Sequence, residues 1–293
     1  MKPLFILFFL GLSQIAFANT EIVELKTPFV GSSLFKPAHS EGELPGIIIF
    51  HGSEGGMNGR MRNQARVIAR KGYVALSYCY FDCQRTAGDN AEELHEANLN
   101  ESYRAFQWLK KLTSGKVGIY GVSRGAEKAL LLTSLMVRDQ LELPDAVGVH
   151  APSDFVVVGF NPNWNLHNRW MCWEEKDVKW DQTCGTPPPK NLEDLKGFPA
   201  WSYNGSTAGL IHESDIAIEK YLGPVFVTHG EKDGVWEVER SRRIKAKILK
   251  ARDTNGGILP EVHFFPNQGH RLDDRNESRR WKLLFDFFER NLK

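Results

Sequence analysis

Short, unbroken apolar runs alternate along this chain with longer stretches of mixed polarity. Residues 46–50 read GIIIF, and comparable runs stand at 73–78, 117–120, 146–149, 225–228 and 262–265. Runs this short and this continuous suit strands buried on both faces. Between them, 57–71, 91–112, 124–137, 238–251 and 277–291 carry a helical period. Ahead of the first run, 21–35 reads as two short strands around Pro28 and Gly31. Strands alternating with helices predict a mostly parallel sheet covered by helices on both faces. Right-handed crossovers then put the strand carboxyl ends along one edge, where ligands bind in open sheets of this kind.

Two stretches break the alternation. Residues 1–18 combine Lys2, an apolar run PLFILFFLGL and the small-residue site Ala16-Phe17-Ala18. This is the form of a secretory signal peptide, so the mature domain is expected to span 19–293 and to be secreted or periplasmic. The apolar run is shorter than the ~20 residues that span a bilayer, so no stable membrane anchor is expected. The second stretch, about 154–220, has no clear period and holds Trp164, Trp170, Trp173, Trp180 and Trp201, five of the eight tryptophans. It is expected to be an insertion between two sheet strands that overhangs the ligand edge as a lid. Trp164, Trp170 and Trp173 would then touch substrate, together with His150 at the end of the fourth strand. The alternative is a small satellite core packed on the domain.

Composition narrows the function classes. With 42% hydrophobic and 25% charged residues, the chain is ordinary for a soluble globular protein and unlike a disordered one. A formal charge of +1 gives no electrostatic footprint for nucleic acid or an acidic membrane surface. Four cysteines in an exported chain suggest disulfides. Cys79–Cys83 with Cys172–Cys184 is the preferred pairing, because each closes a local loop. Four residues of extended strand would hold Cys79 and Cys83 about 13 Å apart, so that bridge requires a turn. The spacings C-x3-C and C-x11-C match no common zinc pattern, and no metal is expected.

The residues able to do chemistry fall at the predicted ligand edge. Gly121-Val122-Ser123-Arg124-Gly125 fits G-x-S-x-G between a strand and a helix. That is the setting in which a sharp turn exposes a nucleophilic hydroxyl and small flanking residues let strand and helix approach. A serine nucleophile needs a base, and the base needs an orienting acid. Asp233 follows the run at 225–228 and His270 follows the run at 262–265, which gives the order Ser, Asp, His. Asp154 is the runner-up acid, and Asp273 and Asp274 are expected on a solvated segment. His229 is expected to brace the acid loop, and His263 to be packed within its strand. An oxyanion hole would take one backbone N–H from Arg124 and another from Ser53 or Glu54, in the glycine-rich loop 51–56.

These stretches resemble the α/β-hydrolase superfamily, and within it the dienelactone-hydrolase-like group. They are also similar to the catalytic domain of the acyl-CoA thioesterase and bile-acid acyltransferase family. The resemblance rests on 45–52 with Gly55-Gly56, on 69–73, on 118–127, on 223–233 with Trp236, and on Gly269-His270. It implies an α/β-hydrolase fold and Ser123, Asp233 and His270 as a catalytic triad. Acyl-CoA is not expected outside the cytoplasm, so the reaction type carries over and the CoA substrate does not. The expected function is hydrolysis of a small-molecule carboxylic ester, or a thioester, without cofactor. Acyl transfer to a non-water acceptor, or a non-catalytic binding protein on this fold, are the alternatives. Nothing in the sequence speaks to oligomeric state.

Overall fold

The computed structural model describes residues 20–40, 42–56, 59–84, 92–164, 172–174, 179–191, 193–194 and 197–293. The expected leader and Trp170 lie outside the described residues. In chain order the main elements begin with β1 (Ile22–Lys26), β2 (Ser33–Pro37), β3 (Gly46–Phe50), α1 (Gly59–Arg70) and β4 (Val74–Tyr78). Next come β5 (Ala97–Asn98), α2 (Leu99–Lys111), β6 (Val117–Val122), α3 (Arg124–Arg138) and β7 (Ala146–His150). The chain continues with β8 (Trp173–Glu174), β9 (Lys179–Trp180), β10 (Trp201–Ser202), β11 (Val225–Gly230), α4 (Glu239–Asn255), β12 (Glu261–Phe265) and α5 (Asp274–Leu292).

Eight strands form one sheet in the order β1-β2-β4-β3-β6-β7-β11-β12. The six from β4 to β12 are parallel, and β1 and β2 extend the β4 edge antiparallel. Strand alternation explains why GIIIF is apolar throughout. Ile47 and Ile49 point into the layer of α1 and α5, with Met61, Ala65, Leu284 and Phe288. Ile48 and Phe50 point into the opposite layer, with Phe106, Leu109, Leu130 and Ile248 from α2, α3 and α4. Each such side chain contributes about 1.5–3 kcal/mol when it leaves water.

The long helix expected over 91–112 begins only at Leu99. The Asn98 side chain accepts from the Asn100 N–H and caps the helix there. The residues before it are drawn into other pairings: Leu94 bridges Phe160 and β5 pairs with β10. Within 154–220 the described structure is a β8–β9 ladder, three short 3-10 turns and β10. Both disulfides have the preferred pairing, with Cα–Cα separations of 5.8 Å for Cys79–Cys83 and 5.7 Å for Cys172–Cys184. The turn that the first one requires is made by Asp82 at φ +53°. No helix among the described residues is long and apolar enough to cross a membrane.

Lys128 on α3 is fully buried, and its Nζ has no hydrogen-bond partner among the described residues. It stands 4.6 Å from the Tyr80 ring centroid, 4.9 Å from Trp201 and 5.3 Å from Phe50. Burial holds this amine well below the ordinary lysine range. The unfolded chain takes up a proton below about pH 10, while the folded chain does not. Lys128 therefore costs stability increasingly as pH falls from 10 towards neutrality. Lys128→Met is expected to be more stable than the parent by on the order of 1–3 kcal/mol at pH 7. Urea unfolding at pH 7 and pH 10 checks this, with the smaller gain at pH 10.

Candidate active site

Ser123 sits between the end of β6 and the first residue of α3. Its backbone is at φ +55°, ψ −120°, a conformation a non-glycine residue holds only under constraint. The constraint is visible: its N–H donates to the His150 carbonyl (2.8 Å), and its carbonyl accepts from Ala126 and Glu127. The turn is possible only because its flanks lack side chains. A Cβ on Gly121 would lie 2.1 Å from the Gly125 oxygen, and one on Gly125 would lie 2.3 Å from the Phe50 oxygen.

The turn brings the Ser123 hydroxyl to 2.9 Å from His270 Nε2. On the other side of the ring, His270 Nδ1 lies 2.7 Å from Asp233 Oδ2. Residues from the ends of β6, β11 and β12 thus meet, as the parallel register of those strands dictates. Asp233 is saturated with donors. Oδ1 accepts from the Val235 N–H (2.8 Å) and the Trp236 N–H (3.0 Å), and Oδ2 from His270 and from His229 Nε2 (2.9 Å). Burial opposes its charge, but the hydrogen bonds from His229, His270, Trp236 and Val235 outweigh burial and hold the carboxyl well below the usual carboxylate range.

Two further histidines support these side chains. His229 is fully buried. Its Nε2 faces two acceptors, Asp233 Oδ2 and the Trp236 carbonyl (2.9 Å), so Nε2 carries the proton and Nδ1 accepts from the Ser241 hydroxyl (2.7 Å). His150 Nε2 donates to the His270 carbonyl (3.3 Å), and its Nδ1 accepts from the Thr228 hydroxyl (3.0 Å). Burial, reinforced by the nearby Arg280, holds His150 well below the ordinary histidine range. The other acids have different partners. Asp154 holds Arg243 through two bonds of 2.6 and 2.8 Å, and Asp273 caps α5 by accepting from the Asn276 N–H. His263 is half-buried against Phe226.

A cavity of about 990 Å³ opens from Ser123, His150 and His270 towards the layer of α1 and α5, where Met61, Val67 and Trp281 contribute to its wall. Ser53 and Glu54 line it too. The Arg124 N–H lies at the first position of α3, where helix N–H groups are free of intrahelical partners. The loop carrying Ser53 and Glu54 is braced from behind. The Tyr80 hydroxyl donates to the His51 carbonyl (2.7 Å), and the Gly56 N–H donates to the Phe81 carbonyl (3.0 Å).

Of the tryptophans of 154–220 expected to touch substrate, Trp164 is placed elsewhere. Among the described residues, none of that stretch lines the cavity. Trp164 donates its indole N–H to the Thr186 carbonyl (2.7 Å) and packs on Phe198, and Trp173 belongs to the β8–β9 ladder. Residues 157–158 and Trp201 of the stretch instead seat themselves behind the turn that carries Ser123. Arg124 donates to Glu127 (2.8 Å) and to the Val157 and Val158 carbonyls (both 3.1 Å). Glu127 in turn accepts from the Val157 N–H (3.1 Å) and the Trp201 indole (2.7 Å). Buried charges need such partners, and the insertion supplies them. The signal that could have exposed this is the Arg–Glu pair three residues apart at the start of a helix rich in Ala and Leu.

The sheet order, the strained serine at the β6–α3 turn, and acid and base after β11 and β12 are those of the α/β-hydrolase fold, and the chain has that fold. A dienelactone hydrolase, provisionally so described, from Klebsiella pneumoniae superposes with a TM-score of 0.59 at 15% identity, over 92% of this chain and 98% of that one. Est1E from Butyrivibrio proteoclasticus, solved with ferulic acid, superposes with a TM-score of 0.54 at 17% identity, over 89% of this chain and 94% of that one. In sequence the chain is 24% identical to mouse acyl-coenzyme A thioesterase 6 over 247 residues, which is 83% of this chain and 52% of the mouse protein. The chain thus spans about half the length of the curated relatives it matches. No protein-family model matches it.

Proposed function

We propose that this protein is an exported serine hydrolase that cleaves a carboxylic ester through an acyl-enzyme on Ser123. The observation that carries the reading is the continuous hydrogen-bonded series Ser123 Oγ, His270, Asp233, at 2.9 and 2.7 Å. His270 Nε2 takes the hydroxyl proton as Ser123 Oγ attacks the carbonyl carbon, and later returns it to the leaving alcohol. Asp233 holds the Nδ1–H tautomer and stabilises the imidazolium. The Arg124 N–H and that of Ser53 or Glu54 receive the oxyanion. Water, activated by the same histidine, releases the acid. The two disulfides and the leader-like start support export. Thioester cleavage is the second reading, favoured by the similarity to the mouse thioesterase.

A fluorophosphonate probe is expected to label the folded protein on Ser123, and prior incubation with a small serine-directed sulfonyl fluoride should abolish the labelling. A panel of p-nitrophenyl esters, a hydroxycinnamate ester and an acyl thioester then ranks substrates by kcat/KM. Failure of the probe on folded protein, with no turnover across the panel, would overturn the reading.

A further inference from the structure

Trp236 stands apart from the hydrolytic side chains yet touches the framework of two of them. It is almost fully buried, at 7% exposure. Its main chain is tied to the acid: its N–H donates to Asp233 Oδ1 (3.0 Å), and its carbonyl accepts from His229 Nε2 (2.9 Å). Its indole is tied to the residue after the nucleophile, because the Arg124 guanidinium stands 5.5 Å from the ring centroid. A second guanidinium, that of Arg240, stands 5.5 Å from the same ring. Each arginine also faces an aromatic ring of the insertion: Arg124 faces Phe160 at 5.7 Å, and Arg240 faces Phe155 at 4.3 Å. The contacts therefore run Phe160, Arg124, Trp236, Arg240, Phe155, with cation and ring alternating. Such contacts strengthen when they are withdrawn from water. Arg240 is anchored further by a 2.7 Å bond to Ser153 Oγ.

We infer that Trp236 is a positioning residue for hydrolysis. Through its ring and its main chain it fixes the acid loop against the turn that carries Ser123 and the Arg124 N–H. The inference rests on the serine-hydrolase reading and adds to it a residue that does not line the cavity. Asp233 takes both of its Oδ1 hydrogen bonds from residues 235 and 236, so wherever this loop goes the carboxylate goes. Arg124 belongs to a segment more than a hundred residues earlier in the chain, and the ring is where the two segments meet. Misplacement of a reacting group by about 1 Å can cost on the order of 10²-fold in rate.

The test compares Trp236→Phe with Trp236→Leu in the full chain. Both fill the site with apolar atoms, but only Phe can face the two guanidiniums. The readouts are the second-order rate of fluorophosphonate labelling of Ser123, and kcat and KM on the best ester. Trp236→Phe is expected within about threefold of the parent. Trp236→Leu is expected to fall roughly 10–100-fold in kcat and labelling rate, with KM unchanged because the ring is not in the cavity wall. Arg240→Gln, at a part-exposed position, supplies a second arm should the Leu variant fail to fold, and is expected to lose several-fold in kcat alone. A Leu variant as fast as the Phe variant, or Arg240→Gln at the parental rate, would overturn the inference while leaving Ser123 as nucleophile. A parent that the probe does not label would remove the serine-hydrolase reading and this inference with it.

Discussion

Ser123→Ala is expected to fold as the parent does and to turn over p-nitrophenyl esters at least about 10³-fold more slowly. The structure separates the two effects. The contacts that hold the turn are main-chain ones, the Ser123 N–H on the His150 carbonyl and the Ser123 carbonyl under Ala126 and Glu127, and alanine keeps them all. The positive φ of +55° strains alanine and serine alike. What alanine removes is the oxygen 2.9 Å from His270 Nε2, the atom that would form the acyl-enzyme. Circular dichroism melting beside steady-state kinetics checks both halves. Turnover that survives the substitution would place the chemistry on another group.

Asp233→Asn is the second large effect, expected to lower kcat by on the order of 10³–10⁴-fold. Four N–H donors converge on this carboxylate. An asparagine has only one acceptor oxygen, so its amide N–H₂ must face either the two backbone donors or the two histidines. If it faces His270, the ring shifts its proton to Nε2 and can no longer accept one from Ser123. If it faces the backbone, the 235–236 turn loses its anchor. Either way a buried donor is stranded, at a stability cost of roughly 1–3 kcal/mol. The pH dependence has a definite sign. A carboxyl held below its unfolded value stabilises the fold above about pH 4, and that stabilisation is lost as pH falls towards the depressed value. The gap in melting temperature between parent and variant should be widest near neutrality and should close in acid.

How much of this was legible beforehand varies by region, for physical reasons. Strands buried on both faces announce themselves, because both faces of the pleat must be apolar. Hence β3, β4 and β7 lie where the runs at 46–50, 73–78 and 146–149 put them. The loops after β11 and β12 carry Asp233 and His270 to one place because parallel strands end along a common edge. Helix starts are less visible. The period that continues back to residue 91 is overruled by the cap at Asn98 and by pairing of Ala97 with Trp201, a contact made across a hundred residues of chain. Least visible are the buried charges of α3. A lysine and a glutamate within a helix ordinarily face solvent, but here the docking of Trp201 and residues 157–158, with the rings of Tyr80 and Phe50, encloses Glu127 and Lys128. That same docking places these residues of the insertion behind the turn that carries Ser123, away from the cavity wall.

The Cys79–Cys83 bridge reaches beyond its own turn. Its sulfur occupies the volume that Gly56 leaves empty, where a Cβ would lie 1.8 Å from Cys79 Sγ. The bridged segment offers the Phe81 carbonyl on which the loop bearing Ser53 and Glu54 hangs. A ring this short restricts the unfolded chain by about 2 kcal/mol, enough to move the melting temperature by several degrees. Two batches of equal purity, one matured in an oxidising compartment and one recovered from a reducing cytosol, are therefore chemically different samples. The history of the thiols is part of the definition of the sample.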